Sequence, residues 1–171
     1  EDSMKFVYSD GGRRDAGYKG AAGDCVARSI AIASRLPYAE VYQALARGMG
    51  AQRKSKGASA RNGINTRRKW FKDYMISIGA KWTPTMLIGQ GCKVHLHDGE
   101  LPDARLVVAV SKHYTAVINN VIHDTHDPQR EVHCCTPGSN GSSADPDARH
   151  WIERRCVYGY WQLTPTDQPA A

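Results

Sequence analysis

The sequence predicts a single α+β domain in which N-terminal helices pack on an antiparallel β-sheet. Apolar residues recur at helical spacing from Asp24 to Gly79. After Lys81 the pattern changes to short strand-like runs bounded by turn residues. Two of these runs are split by Asn119-Asn120, a pair that tolerates the positive φ of a two-residue hairpin turn. Helices first and hairpin-linked strands afterwards is the order of an α+β chain. At 171 residues the chain has the length of one domain, 1–171, with residues 1–10 and 165–171 expected to be poorly ordered.

Residues 5–24 carry Gly11, Gly12, Gly17, Gly20 and Gly23 and read as an irregular arm. A helix then starts at Asp24, with Val26, Ala27, Ile30, Ala31 and Ser34 on one face. Ile32 falls off that face, so the helix is expected to be buried nearly all round, and Leu36-Pro37 ends it. Pro37 suits the first turn of a second helix, whose stripe is Tyr38, Val41, Tyr42 and Leu45. Gly48 and Gly50 close it. A basic loop over 51–64 follows, with Asn62-Gly63 as a turn. The third helix takes Asn65 or Thr66 as its cap, buries Trp70, Phe71, Tyr74, Met75 and Ile78, and ends at Gly79. Strands are expected near 85–88, 93–96, 106–110, 114–118, 121–125 and 156–163. The unbroken apolar run 106–110 marks a buried strand, and the aromatics of 157–161 read as core. Residues 136–149 are rich in Gly, Ser, Asp and Pro and form a long loop.

No apolar run approaches the roughly 20 residues of a membrane-spanning helix. The N-terminus lacks the basic-then-apolar pattern of a secretory leader, so the expectation is a cytoplasmic protein, unless a leader has been removed. Five cysteines, an odd number, argue against a fully disulfide-paired framework and for reduced thiols. His95-Leu96-His97 and the Cys134-Cys135 pair are the features that a metal site would use. Neither C-x-x-C nor H-E-x-x-H is present, and no metal or cofactor is expected. The formal net charge is +6, which favours an anionic partner. From Ala51 to Lys72 there are eight Lys or Arg and no Asp or Glu. With Trp70 and Phe71 beside it, this run could contact phosphates and stack on bases. Alternatively it is a solvated face that attracts an acidic polypeptide.

The residues that carry chemistry are Gly23-Asp24-Cys25, Lys112-His113-Tyr114 and Ile122-His123-Asp124-Thr125-His126-Asp127-Pro128. A thiol in the first turn of a helix meets unpaired N–H groups and the positive end of the helix dipole, and both favour thiolate. If Asn119 and Asn120 are the loop residues of a hairpin, Ile118 faces Val121, and Thr115 pairs with Asp124. His113, Thr115, Asp124 and His126 then share one face, with Asp124 diagonal to His113. A carboxylate beside an imidazole fixes its tautomer and stabilises imidazolium, which in turn holds thiolate. Cys25, His113 and Asp124 therefore make a chemically sensible nucleophilic triad.

Gly23-Asp24-Cys25, the His113-Tyr114-Thr115-Ala116-Val117 strand and Asp127-Pro128 resemble the papain-like cysteine peptidases. Among these the pattern is most similar to compact bacterial and phage forms, such as the leader-cleaving peptidase domains of bacteriocin exporters. The resemblance covers roughly Gly11 to Trp161. It implies a papain-like fold and thiol-dependent hydrolysis of a peptide or amide bond through a thioester, with Cys25 as nucleophile, His113 as base and then acid, and a polypeptide substrate. It places the third member at Asp127, whereas strand register favours Asp124. Many papain-like enzymes carry a Gln six residues before the Cys as an oxyanion donor. Here that position is Lys19, and no Gln precedes Cys25. Lys19 and Tyr18 are the substitute candidates. A catalytically inactive papain-like scaffold that only binds, through the basic segment, is the alternative.

Overall fold

A computed structural model describes residues 3–20, 22–50, 59–135 and 150–164. The elements are β1 (Lys5–Tyr8), α1 (Cys25–Ser34), α2 (Tyr38–Gly50), α3 (Lys69–Ser77), β2 (Ala80–Pro84), β3 (Arg105–Val110), β4 (His113–Ile118), β5 (Val121–Asp124), β6 (Glu131–Cys135), β7 (His150–Arg154) and β8 (Val157–Leu163). Six strands form a mixed sheet in the order β1-β5-β4-β3-β8-β2, and β6 and β7 form a separate antiparallel ribbon. The chain is thus α+β, with three helices against a six-stranded sheet.

The helices follow their apolar stripes. On α1, Val26, Ala27, Ile30, Ala31 and Ala33 are buried, and Ile32 is half-buried. Arg35 ends the helix in the left-handed conformation (φ 64°), its N–H bonded to the Ala31 carbonyl. Two further orphan carbonyls at this end, of Ile32 and Ala33, accept hydrogen bonds from the Arg105 guanidinium at 2.6 and 2.7 Å. A β3 side chain therefore caps α1 and fastens it to the sheet. On α2, Tyr38, Val41, Leu45 and Met49 are buried at three- and four-residue spacing. Helix α3 starts at Lys69, later than Asn65 or Thr66, because the Asn65 side chain closes a separate turn on the Arg67 N–H.

The sheet is buried on both faces. Ile30, Val41, Leu45, Phe71, Met75, Val107, Ala116 and Trp161 fill the space between helices and sheet. Met4, Leu96, Leu101, Leu106, Val108, Val117, Ile122 and Val157 fill the other side. Alternate residues of β3 enter the two cores, which explains its unbroken apolar run. Asn119 (φ 47°) and Asn120 (φ 63°) form the expected hairpin turn, and Ile118 pairs with Val121, Val117 with Ile122 and Ala116 with His123. On β8, Val157, Trp161 and Leu163 are buried.

Several expectations need correction. The sheet is not wholly antiparallel: Lys5–Tyr8 leave the presumed irregular arm and pair in parallel with β5, so they are ordered strand. The segment 85–88 is not strand, and the strand lies before it, at Ala80–Pro84, paired with β8. The segment 93–96 contributes a single bridge, His95 to Cys156. The β6–β7 ribbon was not anticipated. The loop 136–149 and the tail 165–171 lie outside the described residues. The thiols are not all reduced: Cys92 and Cys156 form a disulfide. Leu96 N–H bonds the Arg155 carbonyl and Val157 N–H bonds the Val94 carbonyl, both at 2.8 Å. This loop-to-strand contact sets the two cysteine Cα atoms 5.9 Å apart, within bridging range. A disulfide is commoner in oxidising compartments than in the cytosol, so cysteine usage no longer supports a cytoplasmic location. Among the described residues, no helix is long and apolar enough to cross a membrane.

Candidate active site

Cys25, His113 and Asp124 come together where the start of α1 meets the near ends of β4 and β5. Each position has a local cause. The arm preceding Cys25 is pulled inward by Asp24, whose carboxylate is fully buried. It is bonded to the Arg28 guanidinium and the Tyr38 hydroxyl, with Arg13 Nε 3.0 Å away. Asp24 makes no side-chain cap bond to the helix it precedes. Its charge is spent on its three partners, and Cys25 is left in the first turn facing a cleft. The Asn119-Asn120 turn sets the register that carries Asp124 to His113: Asp124 Oδ2 accepts the Nε2–H of His113 at 2.6 Å. Asp124 Oδ1 accepts the Thr125 N–H at 2.7 Å. The ring of His126 lies against that of His113, with centroids 4.9 Å apart.

With Nε2 on Asp124, the ring nitrogen left for Cys25 is Nδ1. Burial opposes charge on all three groups, and their mutual contacts outweigh it. For Cys25, the bond from His113, the backbone N–H of Tyr114 and the positive charges of His113 and Arg28 bring the thiol below its ordinary value. For His113, the bonds to Asp124 and Cys25 and their negative charges push the imidazole up to about 9. For Asp124, the bond to His113, its charge and the Thr125 N–H hold the carboxyl low. All three shifts run in the direction that favours the charged forms, thiolate, imidazolium and carboxylate, in a row.

The row opens into a cleft of about 310 Å³, whose walls include Gly23, Asn62, Thr66, Lys112 and Tyr114. Asn62 is the unanticipated member. Reciprocal backbone bonds to Ser59 of 2.7 and 3.0 Å fix it in a tight turn, with Gly63 following at φ 77°. Its side-chain amide lies against Gly23, so close that a Cβ at residue 23 would stand 2.6 Å from Asn62 Oδ1. Any side chain at residue 23, two positions before the thiol, would push the Asn62 amide aside. The sequence signal was the Asn62-Gly63 turn itself. Arg28 was also missed, although it lies one turn after Asp24 on the same helix. Its guanidinium reaches from Asp24 to within 4.0 Å of Asp124 Oδ1.

The remaining predicted residues lie elsewhere. Tyr18 and Lys19 do not reach this cleft. They line a different cavity, of about 630 Å³, beneath the N-terminal arm. Tyr18 packs edge-on against Tyr38 and at a tilt against Tyr42, and the Lys19 carbonyl accepts a bond from Arg13. That larger cavity has no cysteine or histidine among its lining residues. Asp127 faces away and holds Gln129 through its N–H and side-chain amide. His95 and His97 lie outside the named strands, and their Nδ1 atoms lie 3.0 and 3.9 Å from oxygens of the same Glu100. Among the described residues, no group of three His, Cys, Asp or Glu is placed to hold a metal ion. Of the basic run, 51–58 lies outside the described residues. In the rest, Phe71 is buried and Trp70 half-buried, both packed with the helix–sheet core.

Comparison with family models, curated proteins and solved structures finds no match to this chain.

Proposed function

We propose that this protein is a papain-like cysteine hydrolase acting on a peptide or amide bond. The observation that carries the reading is the Cys25–His113–Asp124 row in an open cleft, with the thiol at the start of a helix. The Cys25 thiolate adds to the substrate carbonyl carbon, and the negative charge passes to the carbonyl oxygen. The Cys25 backbone N–H is one donor to that oxyanion, and the Asn62 side-chain amide is the second, in place of Lys19 and Tyr18. The C–N bond breaks as His113 gives its Nδ1 proton to the leaving amine, which leaves a thioester on Cys25. Water then attacks the thioester, His113 takes its proton, and the thiolate departs. Asp124 holds the imidazole through Nε2 in both halves. The substrate class is a polypeptide, and no cofactor takes part.

The test is the rate of Cys25 alkylation by iodoacetamide against pH, read by peptide mass spectrometry. A rate already level below about pH 6.5, moved up by His113→Ala, is the expected result. A wild-type profile with an ordinary thiol midpoint near ~8.5 overturns the reading.

A further inference from the structure

Lys112 occupies a position that suits glycine. It is the second residue of the two-residue turn between β3 and β4, and its φ is 55°. A non-glycine residue there costs on the order of 1 kcal/mol. Asn119 and Asn120 solve the same problem in the next hairpin with a residue type that tolerates the left-handed region. Lysine has no such tolerance, so the turn does not account for it. What distinguishes the position is its place: Lys112 is exposed, it lines the cleft, and it directly precedes His113.

Among the described residues, the unpaired charges around the cleft have one sign. The one carboxylate among the cleft-lining residues is Asp24, which is buried and consumed by Arg13, Arg28 and Tyr38. Arg67, next to the lining residue Thr66, acts through its charge on the Tyr114 phenol in the cleft wall. A substrate side chain entering beside Cys25 therefore meets uncompensated positive charge.

Resting on the hydrolase reading above, we propose that Lys112 is a specificity residue, and that the residue supplying the attacked carbonyl is aspartate or glutamate. The backbone strain at Lys112 is retained because its ammonium pairs with that carboxylate. An opposite-charge pair selects acidic side chains, and a basic side chain at the same place is repelled.

The test uses acetyl-Ala-Asp, acetyl-Ala-Asn and acetyl-Ala-Lys chloromethyl ketones. In each, the Cys25 sulfur displaces chloride and forms a thioether, read by peptide mass spectrometry. Wild-type protein is expected to label with the Asp reagent about fivefold faster than with the Asn reagent, the scale of one partly screened ion pair, and slowest with the Lys reagent. In Lys112→Gly and Lys112→Asn, both compatible with the turn, the Asp-to-Asn ratio falls to about one, while Lys112→Arg keeps it. Raising salt from 50 to 500 mM shrinks the wild-type preference. An Asp-to-Asn ratio of about one in the wild type, or one that the Gly and Asn variants leave unchanged, overturns the proposal and leaves the nucleophile reading standing. Failure of all three reagents to label native Cys25 overturns the nucleophile reading, and this proposal with it.

Discussion

Asp24 and Asp124 are both buried, and both lie against Arg28. Asp24 stands before α1, and its partners, Arg13, Arg28 and Tyr38, hold the arm, the helix and the next helix together. The Tyr38 phenol is kept well above its ordinary range by burial and by Asp24 itself, so it holds its proton at neutral pH. Asp124 ends a strand, and its main partner is an imidazole that titrates. The same side chain, equally buried, thus locks the fold in one place and tunes a proton acceptor in the other. The neighbour's pKa decides which. Arg28 serves both sites, because it neutralises Asp24 and adds positive potential at Cys25.

Paired substitutions sharpen this contrast. Asp124→Asn preserves shape but lets the amide oxygen or nitrogen face Nε2, so the tautomer and the imidazolium lose their support. Acylation of Cys25 by p-nitrophenyl acetate, read as the nitrophenolate burst, should fall about 10³-fold, with a smaller stability loss than that of Asp24→Asn, because His113 can shed its proton when its counter-charge is removed. Asp24→Asn should do the reverse in kind. It leaves Arg13 and Arg28 buried without their counter-charge, a loss of roughly 3–4 kcal/mol in urea unfolding. Equal stability losses from the two variants would mean that both carboxylates are structural and that the contrast is wrong.

The sequence made the hairpin carrying His113 and Asp124 legible because the whole inference is local. Two asparagines that tolerate positive φ fix the turn, the turn fixes the register, and the register fixes the shared face. Register also decided between Asp124 and Asp127, which the resemblance alone placed differently. Cys25 was legible because an N-terminal helical thiol is a local feature. The rest depends on contacts between distant segments. Asn62 meets Gly23 across a gap of unrelated sequence, and the turn signal at Asn62-Gly63 says nothing about what the side chain touches. The Cys92–Cys156 bridge spans 64 residues and depends on a loop crossing to β8 that no periodicity reports. Strand β1 was missed because its partner β5 lies more than a hundred residues away. Tyr18 and Lys19 were chosen by their distance along the chain from Cys25, and the arm folds them to the other side of Asp24.

Asn62 extends the contrast to a neutral group. If its amide meets the developing oxyanion, Asn62→Ala should slow p-nitrophenyl acetate acylation about 10²-fold, the usual cost of one oxyanion donor. The iodoacetamide profile of Cys25 should not move, because that reaction forms no oxyanion. A shift of the alkylation midpoint would instead place Asn62 among the groups that tune the thiol, alongside Asp124.

The smallest expected effect is a slope of stability with pH, and it separates a proton shared between two groups from a proton gained by one. A histidine whose folded pKa is raised contributes stability that is full below its unfolded value of ~6.5 and lost as pH rises through the folded value, about 9 for His113. A thiol whose folded pKa is lowered does the opposite, and adds stability as pH rises towards its unfolded value. Between the unfolded values of ~6.5 for the imidazole and ~8.5 for the thiol the two contributions oppose each other, one falling with pH where the other rises. Wild-type stability should therefore change less across that window than the stability of a variant that lacks the thiol. Cys25→Ala removes the thiol's half and leaves His113 raised by Asp124 alone. Its stability should therefore decline with rising pH, by on the order of 1–2 kcal/mol across the window. Urea midpoints at pH 6.5, 7.5 and 8.5 measure it. Parallel, level curves for both proteins would show that His113 is neutral in the fold, and the thiolate–imidazolium pair would have to be abandoned.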